Sequence, residues 1–389
     1  MKMRKRLALV VALVFALSIF AGCGAKTETP TPGTPSKEDI KIGIINSLSG
    51  SVSSYGTSAH NGALLAIEEV NKKGGLLDGR QVKYVEEDDQ GKIDDASNAS
   101  QKLINQDNVV AIIGATISSC SNAAAPSAQA AGVPMITPTS TATNVTENGE
   151  YISRICFLDP YQSKALAKFA VDNLKANKAA ILYNKQDDYS TGLAVSFKEE
   201  FTKLGGTIVE EQTYGKDEQD FNGQLTKIKG TNPEILFLPD YYNTVGLIAK
   251  QAKQQGLKAT LLGADGWDSP QLFEIGGDAV EGAIFSAHYS AADPSPETKA
   301  FVEAYKAKYQ KDPDSFAALG YDAAMALMSS INTAGSTDKA KIKDAINDLK
   351  DFKGASGTIT LDDKRNPIKT VVFVKCQQGK QEFVAKVTP

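Results

Sequence analysis

The segment Asn108–Thr141 reads NVVAIIGATISSCSNAAAPSAQAAGVPMITPTST and indicates the fold class. The apolar run Val109–Gly114 predicts a buried strand, and the small-residue loop Ala115–Ser119 follows it. An alanine-rich helix then leads to a second apolar run, Val133–Thr137, and to a hydroxyl-rich loop, Pro138–Thr141. Both strands are therefore expected to end at the same edge of a sheet, where open α/β sheets bind ligands.

The same alternation extends on both sides of this segment. Strands are predicted at Ile40–Asn46 and Gln81–Glu86 before it and at Tyr151–Phe157 after it. Helices are predicted at Gly62–Lys73 and Asp94–Asn105. Strands and helices that alternate with short connections predict a mostly parallel sheet with helices on both faces.

A second series begins after Phe157 and predicts a second α/β lobe. Its strands are predicted at Ala179–Tyr183, Thr207–Tyr214, Ile235–Leu238, Thr260–Gly263 and Ala283–Ser286. Its helices are predicted at Gln162–Leu174, Thr191–Leu204, Phe221–Lys229 and Thr244–Gln255. Three more helices are expected within Glu297–Asp348, and the strands Thr358–Leu361 and Lys369–Lys375 are expected to form an antiparallel edge.

The N-terminus has the pattern of a targeting segment. Met1–Arg6 carries four positive charges, and Leu7–Ala21 is apolar apart from Ser18. This run is too short for a spanning helix. Because small residues precede Cys23, it resembles a bacterial lipoprotein signal, which implies a signal peptide at 1–22 and lipidation of Cys23. Ordinary secretory cleavage with an incidental cysteine is the alternative.

Residues 23–38 are predicted to form a Pro/Thr-rich tether, because Thr27–Lys37 has no apolar residue to bury. About 350 residues remain after the tether, enough for two domains. The net charge is −4 without a basic block, which argues against a nucleic-acid partner. The sequence leaves open whether any of Cys120, Cys156 and Cys376 form a disulfide, and their spacing does not suggest a metal site.

The motifs of common enzyme classes are missing. The sequence has two histidines, His60 and His288, and lacks GxSxG, Walker, GxGxxG and HExxH motifs. We therefore predict no catalytic residues and no cofactor. His60 is expected to be a helix cap or a surface residue. The acidic pairs Asp88-Asp89 and Asp187-Asp188 are expected in solvated turns.

Several short motifs occur together in a characteristic order. At these spacings the chain resembles the type I periplasmic substrate-binding proteins of ABC importers, in particular the branched-chain amino acid (Leu/Ile/Val) group. The similarity extends from about Asp39 to the C-terminus. The motifs are Ile42–Ile44 to Ser49-Gly50, Tyr55-Gly56, Asn61–Ala63, Asn71–Gly75, Ile113–Ser119, Gly132–Thr141, Arg154, Asp159-Pro160 with Gln162, Tyr189–Leu193 and Gly263–Trp267.

The resemblance implies an α/β fold of two Rossmann-like lobes joined by three crossovers. Lobe I would comprise residues 39–158 plus 288–352, and lobe II residues 159–287 plus 353–389. The crossovers would lie near Asp159–Gln162, Ser286–Tyr289 and Phe352–Thr358. A ligand would bind in the cleft between the lobes, which would close on it about the crossovers.

The resemblance also implies roles for individual residues. Ser118 matches a position that holds a ligand carboxylate through its hydroxyl and amide; a helix cap is its ordinary role. Thr139 matches a position whose carbonyl accepts from the ligand ammonium, and Thr141 one that touches both charged groups. Asp265 matches an acidic position that pairs with the ammonium, with a turn residue as the alternative. Thr116 would contribute to the pocket wall.

Aromatic residues are expected around the ligand side chain. Tyr55 and Tyr189 match positions that wall it, one from each lobe, since tyrosine combines an apolar face with a polar tip. Tyr241 matches a tyrosine near the charged groups, although Tyr242 could take this place. Trp267 is expected to line the pocket, with core packing as its alternative.

Together these features predict a monomeric, lipid-anchored, extracytoplasmic protein that binds an amino acid, most simply an aliphatic one, and delivers it to an ABC permease. It would make and break no bonds. One alternative is a sensory receptor of the same fold for amides or for aromatic or organic acids. Another is an extracellular hydrolase. The sequence does not identify the preferred side chain.

Overall fold

The structure is a computed structural model that describes residues 38–387. The predicted signal peptide, Cys23 and the tether lie outside the described residues. Residues from Asp39 onward form one compact unit built on two large sheets. Within the described range, no helix is long and apolar enough to cross a membrane.

The first sheet is parallel, with strand order β2-β1-β3-β4-β5. Its strands are β1 (Ile40–Asn46), β2 (Val82–Asp88), β3 (Ile112–Ile113), β4 (Met135–Thr137) and β5 (Ile152–Arg154). Helices α1 (Ser53–Lys72), α2 (Ile93–Asn105), α3 (Ser118–Ala130) and α4 (Asn144–Glu147) connect them. The central strands are almost wholly buried, as their continuous apolar runs predict.

The second sheet has the order β14-β13-β10-β9-β8-β6-β7. Its strands are β6 (Lys178–Asn184), β7 (Thr207–Tyr214), β8 (Ile235–Leu238), β9 (Thr260–Gly263), β10 (Ile284–Ala287), β13 (Val371–Gln377) and β14 (Lys380–Val387). Strands β6 to β10 are parallel, whereas β13 and β14 are antiparallel to their neighbours. Its helices are α5 (Asp159–Asp172), α6 (Asp188–Lys203), α7 (Asn222–Gly230), α8 (Tyr242–Gln254) and α9 (Gln271–Gly276), with 3₁₀ turns at Asp265–Trp267 and Gly277–Val280.

The chain returns to the first lobe through α10 (Pro296–Tyr309), α11 (Ser315–Ala334) and α12 (Lys339–Asn347). A small antiparallel pair follows, β11 (Phe352–Gly354) and β12 (Gly357–Ile359). Ile359 and Leu361 pack with the first-lobe core, whereas β13 joins the second sheet. The third passage between the lobes therefore lies after Leu361, later than the expected crossover at Phe352–Thr358.

The predicted pairing of Thr358–Leu361 with Lys369–Lys375 is wrong. Strand β12 pairs with β11, and β13 lies between β10 and the edge strand β14. The sequence KQEFVAKV of β14 gave no strand signal because most of its residues are exposed at the sheet edge.

Helix α1 begins at Ser53, well before the predicted Gly62. It packs closely on α11, where a Cβ atom added to Gly62 would lie 2.0 Å from the Ala317 carbonyl oxygen. His60 therefore lies within the helix rather than at its start. Its side chain is mostly buried, contrary to the expected surface position, with Nδ1 3.4 Å from Glu86 Oε1.

Candidate ligand-binding site

Two loops at the carboxyl ends of β3 and β4 are fastened to each other. The Thr116 hydroxyl donates to Asn46 Oδ1 (3.1 Å) and accepts from the Ser47 amide (3.2 Å), which fixes the first loop to the end of β1. The Thr139 hydroxyl donates to the Thr116 carbonyl. The hydroxyl groups of Thr116 and Thr139 therefore stabilise the loops. Their backbone groups remain as the contacts that these two residues can make with a ligand.

Ser118 is buried at the start of α3. It does not cap this helix, because Ile117 occupies the N-cap position. Ser118 Oγ instead accepts from the Ala142 amide at 3.2 Å, which joins the helix start to the second loop. The first amides of a helix lack intrahelical acceptors, so the start of α3 suits an anion.

Arg154 supports the second loop from behind. Its side chain is fully buried, and its guanidinium donates to the carbonyls of Ser140 (2.6 Å) and Ala142 (2.8 Å). Thr141, between these two residues, is also fully buried; its carbonyl accepts from the Asp159 amide at 3.1 Å and its hydroxyl lies near the Asp159 carboxyl group. A buried arginine thus adds positive charge next to the loops, although the sequence argument for carboxylate binding did not include one.

Asp265 is a buried hydrogen-bond acceptor rather than an exposed turn residue. Its Oδ1 accepts from Gln162 Nε2 and from the Tyr189 hydroxyl, both at 2.8 Å. Its Oδ2 lies 2.9 Å from His288 Nε2. The Tyr189 hydroxyl in turn accepts from the Gly266 amide at 2.8 Å. The carboxylate is therefore held in one orientation by groups from separate elements.

Asp159, Gln162 and His288 belong to this cluster, although the sequence did not assign them to the site. Gln162 Nε2 donates to Asp159 Oδ1 (2.9 Å) as well as to Asp265, so one amide bridges two buried carboxyl groups. Burial and the neighbouring Asp265 raise the pKa of Asp159 to about 8. Burial lowers the pKa of His288. The sequence feature that could have identified Asp159 and Gln162 is the motif Asp159-Pro160-x-Gln162, which lies at a predicted crossover.

The tyrosines from the two lobes meet across the cleft. The Tyr55 hydroxyl donates to the Gly266 carbonyl and accepts from the Tyr242 amide at 3.1 Å. The Tyr55 ring stacks on Phe316, with centroids 4.2 Å apart. Tyr189 stacks on Tyr241 at 5.1 Å. These rings provide flat apolar surfaces near Asp265.

Tyr241 and Tyr242 occupy different places. Tyr241 packs on Tyr189, and its hydroxyl lies 3.4 Å from Asp187 Oδ2. The Tyr242 hydroxyl donates to the Ser51 carbonyl of the first lobe at 3.0 Å. Tyr242 therefore bridges the lobes, whereas Tyr241 lies beside the second-lobe aromatic wall.

Trp267 lies in the core of the second lobe, which was its alternative role. It is fully buried, its indole nitrogen donates to the Leu238 carbonyl (2.9 Å), and it packs near Phe285. A Cβ atom on Gly263 would lie 2.0 Å from the indole ring. Trp267 thus positions the turn that carries Asp265.

The acidic pairs Asp88-Asp89 and Asp187-Asp188 were predicted to lie in solvated turns. This is wrong for one member of each pair, because Asp89 and Asp187 are buried. Asp89 Oδ1 accepts from Ser47 Oγ at 2.6 Å, and Asp187 caps α6 by accepting from the Ser190 amide at 3.0 Å. Burial raises the pKa of both carboxyl groups.

Cys120, Cys156 and Cys376 are buried free thiols.

The two lobes are closed on each other. Ser54 Oγ lies 2.8 Å from Ser269 Oγ, and the Ser315 amide donates to Asp268 Oδ2 at 3.2 Å. A cavity of about 430 Å³ is lined by residues of both lobes that include Ile117 and Tyr241, whereas Ser118, Thr141 and Asp265 are not among its lining residues. Its size is in the range of small-molecule sites.

Two α/β lobes closed over convergent polar and aromatic groups define a ligand-binding protein of the hinged type. The sequence agrees, since residues 39–381 match the model of the periplasmic binding protein family. The chain belongs to this family.

Individual relatives support this placement. The chain is 33% identical to the Leu/Ile/Val-binding protein BraC3 of Rhizobium johnstonii over 324 residues, which is 83% of this chain and 87% of that protein. The leucine-binding protein LivK of Thermotoga maritima is similar in structure, with a TM-score of 0.87, 40% identity and coverage of 90% and 99% of the two chains. The isoleucine complex of LivJ from Streptococcus pneumoniae gives a TM-score of 0.85, 32% identity and coverage of 90% and 100%.

Proposed function

We propose that this protein captures an aliphatic amino acid, with branched-chain amino acids as the leading candidates, and delivers it to an ABC permease. The observation that carries the proposal is the presence of two kinds of buried polar group, helix-start donors at α3 and the acceptor Asp265. In this proposal the donors at the start of α3 and in the second loop serve the ligand carboxylate, and the buried Asp265 serves the ammonium.

In this proposal the ligand carboxylate binds at Ser118 and Thr141, with Arg154 adding positive charge behind the loop. The ammonium binds at the Thr139 carbonyl and Asp265. Each ligand charge then meets its complement as water is excluded, which avoids the cost of an unpaired buried charge.

The ligand side chain would pack on Tyr55, Tyr189 and Tyr241. The names of relatives that bind leucine, isoleucine or valine support an aliphatic side chain. No bond is made or broken. Closure stabilises the loaded form because both lobes contact the ligand only when they are shut.

The remaining parts of the proposal concern location. We place the protein outside the cytoplasm as a monomer, with lipidated Cys23 and the 23–38 tether holding it at the membrane beside its permease. The lobe division follows the sequence prediction, with the last boundary moved past Leu361 because Leu361 packs with the first lobe.

A thermal-shift screen against the amino acids tests the proposed function. A ligand at 100 times its dissociation constant should stabilise the protein by about 2.7 kcal/mol. We expect leucine, isoleucine or valine to give the largest shift, and 4-methylpentanoate, the des-amino analogue of leucine, to give none. An equal shift with 4-methylpentanoate would favour a receptor for organic acids and would contradict the zwitterion site.

A further inference from the structure

The cleft contains a second buried carboxyl group, that of Asp159. Asp159 is 1% exposed, and its Oδ1 accepts from Gln162 Nε2 at 2.9 Å. Its Oδ2 is buried without a well-formed hydrogen bond among the described residues, and the nearby Thr141 hydroxyl stabilises the charged form of the carboxyl group. Gln162 Nε2 also donates to Asp265 Oδ1 at 2.8 Å, so the two carboxyl groups share one donor.

The charges around this pair do not neutralise it by direct contact. From β5, Arg154 hydrogen-bonds carbonyl groups of the second loop rather than either carboxyl group. The Thr141 hydroxyl, the Cys156 thiol and the Tyr189 hydroxyl face the pair, and His288 contacts Asp265. The buried Lys369 and Asp268 lie further out and act on His288. Burial lowers the pKa of His288, so this imidazole is neutral near pH 7.

Two neighbouring carboxyl groups in a buried site cannot both ionise at low cost, so one retains a proton. Asp265 has three hydrogen-bond contacts, with Gln162, Tyr189 and His288. Asp159 accepts from Gln162, and the nearby Thr141 hydroxyl is its other donor, so Asp159 has fewer donors than Asp265 and the proton belongs on Asp159. Consistent with this geometry, burial and Asp265 raise the pKa of Asp159 to about 8.

We propose that Asp159 is a second acceptor for the ligand ammonium and that ligand capture expels the proton held by the Asp159–Asp265 pair. The inference rests on the proposed function. In this step the O–H bond of the Asp159 carboxyl group breaks and its proton leaves to solvent. The ammonium, which keeps its own three protons, then donates to the freed Oδ2 and to Asp265.

Two consequences distinguish this site from one with a single carboxylate. With Asp159, Asp265 and the Thr139 carbonyl, the site has an acceptor for each of the three ammonium N–H groups, so even N-monomethylated amino acids should bind poorly. Affinity should also depend on pH. Because the proton is bound in the empty protein below a pKa of about 8 and absent in the complex, affinity should rise with pH up to about 8.

Calorimetry in phosphate and in Tris at pH 7 tests the inference, because the difference in apparent enthalpy counts the protons released. With leucine, or whichever amino acid gives the largest thermal shift, wild type should release close to one proton per ligand. Asp159→Asn should release none and should bind at least ten-fold more weakly. Asp172→Asn, an exposed aspartate on the same helix, is the matched control and should behave as wild type.

The outcomes separate this inference from the proposed function. Binding without proton release by wild type would overturn the inference alone, as would undiminished release by Asp159→Asn. Failure of every amino acid to bind would overturn the proposed function and the inference with it. If Asp159→Asn does not fold, the wild-type proton count still decides the question.

Discussion

Replacement of Asp265 by asparagine should weaken amino acid binding while leaving the fold intact. Asparagine has the same shape, and its Oδ1 can still accept from Gln162 and Tyr189, which both donate to Asp265 Oδ1 at 2.8 Å. Its Nδ2 would then face His288 Nε2. His288 can accept there by moving its proton to Nδ1, which has no partner within residues 38–387. The free energy of unfolding should therefore change by about 1 kcal/mol or less.

The effect on binding follows from the lost charge. Truncating one side of a buried, hydrogen-bonded charge pair costs roughly 2–5 kcal/mol. Because Asp159 remains as a carboxyl group linked through the same Gln162 amide, we expect the lower part of this range, about 2–3 kcal/mol. This corresponds to a loss of roughly 30- to 140-fold in affinity.

Isothermal calorimetry with leucine measures this loss, and a urea unfolding curve of the variant checks that stability is retained. Asp172→Asn serves as the control for the removal of one exposed negative charge. Wild-type affinity in a folded Asp265→Asn protein would refute the assignment of Asp265 to the ligand ammonium.

Four further outcomes are expected. Ser118→Ala should weaken binding by about 1–3 kcal/mol in calorimetry, because backbone amides remain at the start of α3 while the bond to the Ala142 amide is lost; unchanged affinity would exclude the hydroxyl as a ligand contact. Small-angle scattering should show a smaller radius of gyration when the preferred amino acid is added to protein freed of ligand, and no change at saturation would contradict hinged closure. Cys23→Ser should release the protein from membranes in a host that processes lipoproteins, so recovery of wild type only in the soluble fraction, with an unmodified thiol, would contradict anchoring. Trp267→Ala should lower the free energy of unfolding by about 3–5 kcal/mol in a denaturant titration, because a fully buried indole leaves a cavity; a loss below about 1 kcal/mol would contradict its place in the core.

Several elements could be predicted from the sequence to the residue. The strands Thr207–Tyr214, Ile235–Leu238 and Thr260–Gly263 have the predicted bounds. They are regular parts of a sheet in which a local pattern of apolar residues reports burial directly. Element ends that depend on contacts with distant residues were less predictable. Helix α1 starts at Ser53 because its first turns pack against α11, which lies more than 250 residues later.

The sequence by itself determined the alternating α/β architecture, the two series of strands, and the loops that carry Ser118, Thr139 and Thr141, because each depends on residues close together in the chain. The tertiary structure decided which polar groups share one buried site. Asp159, Gln162 and His288 join Asp265 only because separate elements converge there. The tertiary structure also packs Trp267 near Phe285, where its indole nitrogen donates to the Leu238 carbonyl. Such convergence depends on how the lobes pack and close, which no local sequence pattern specifies.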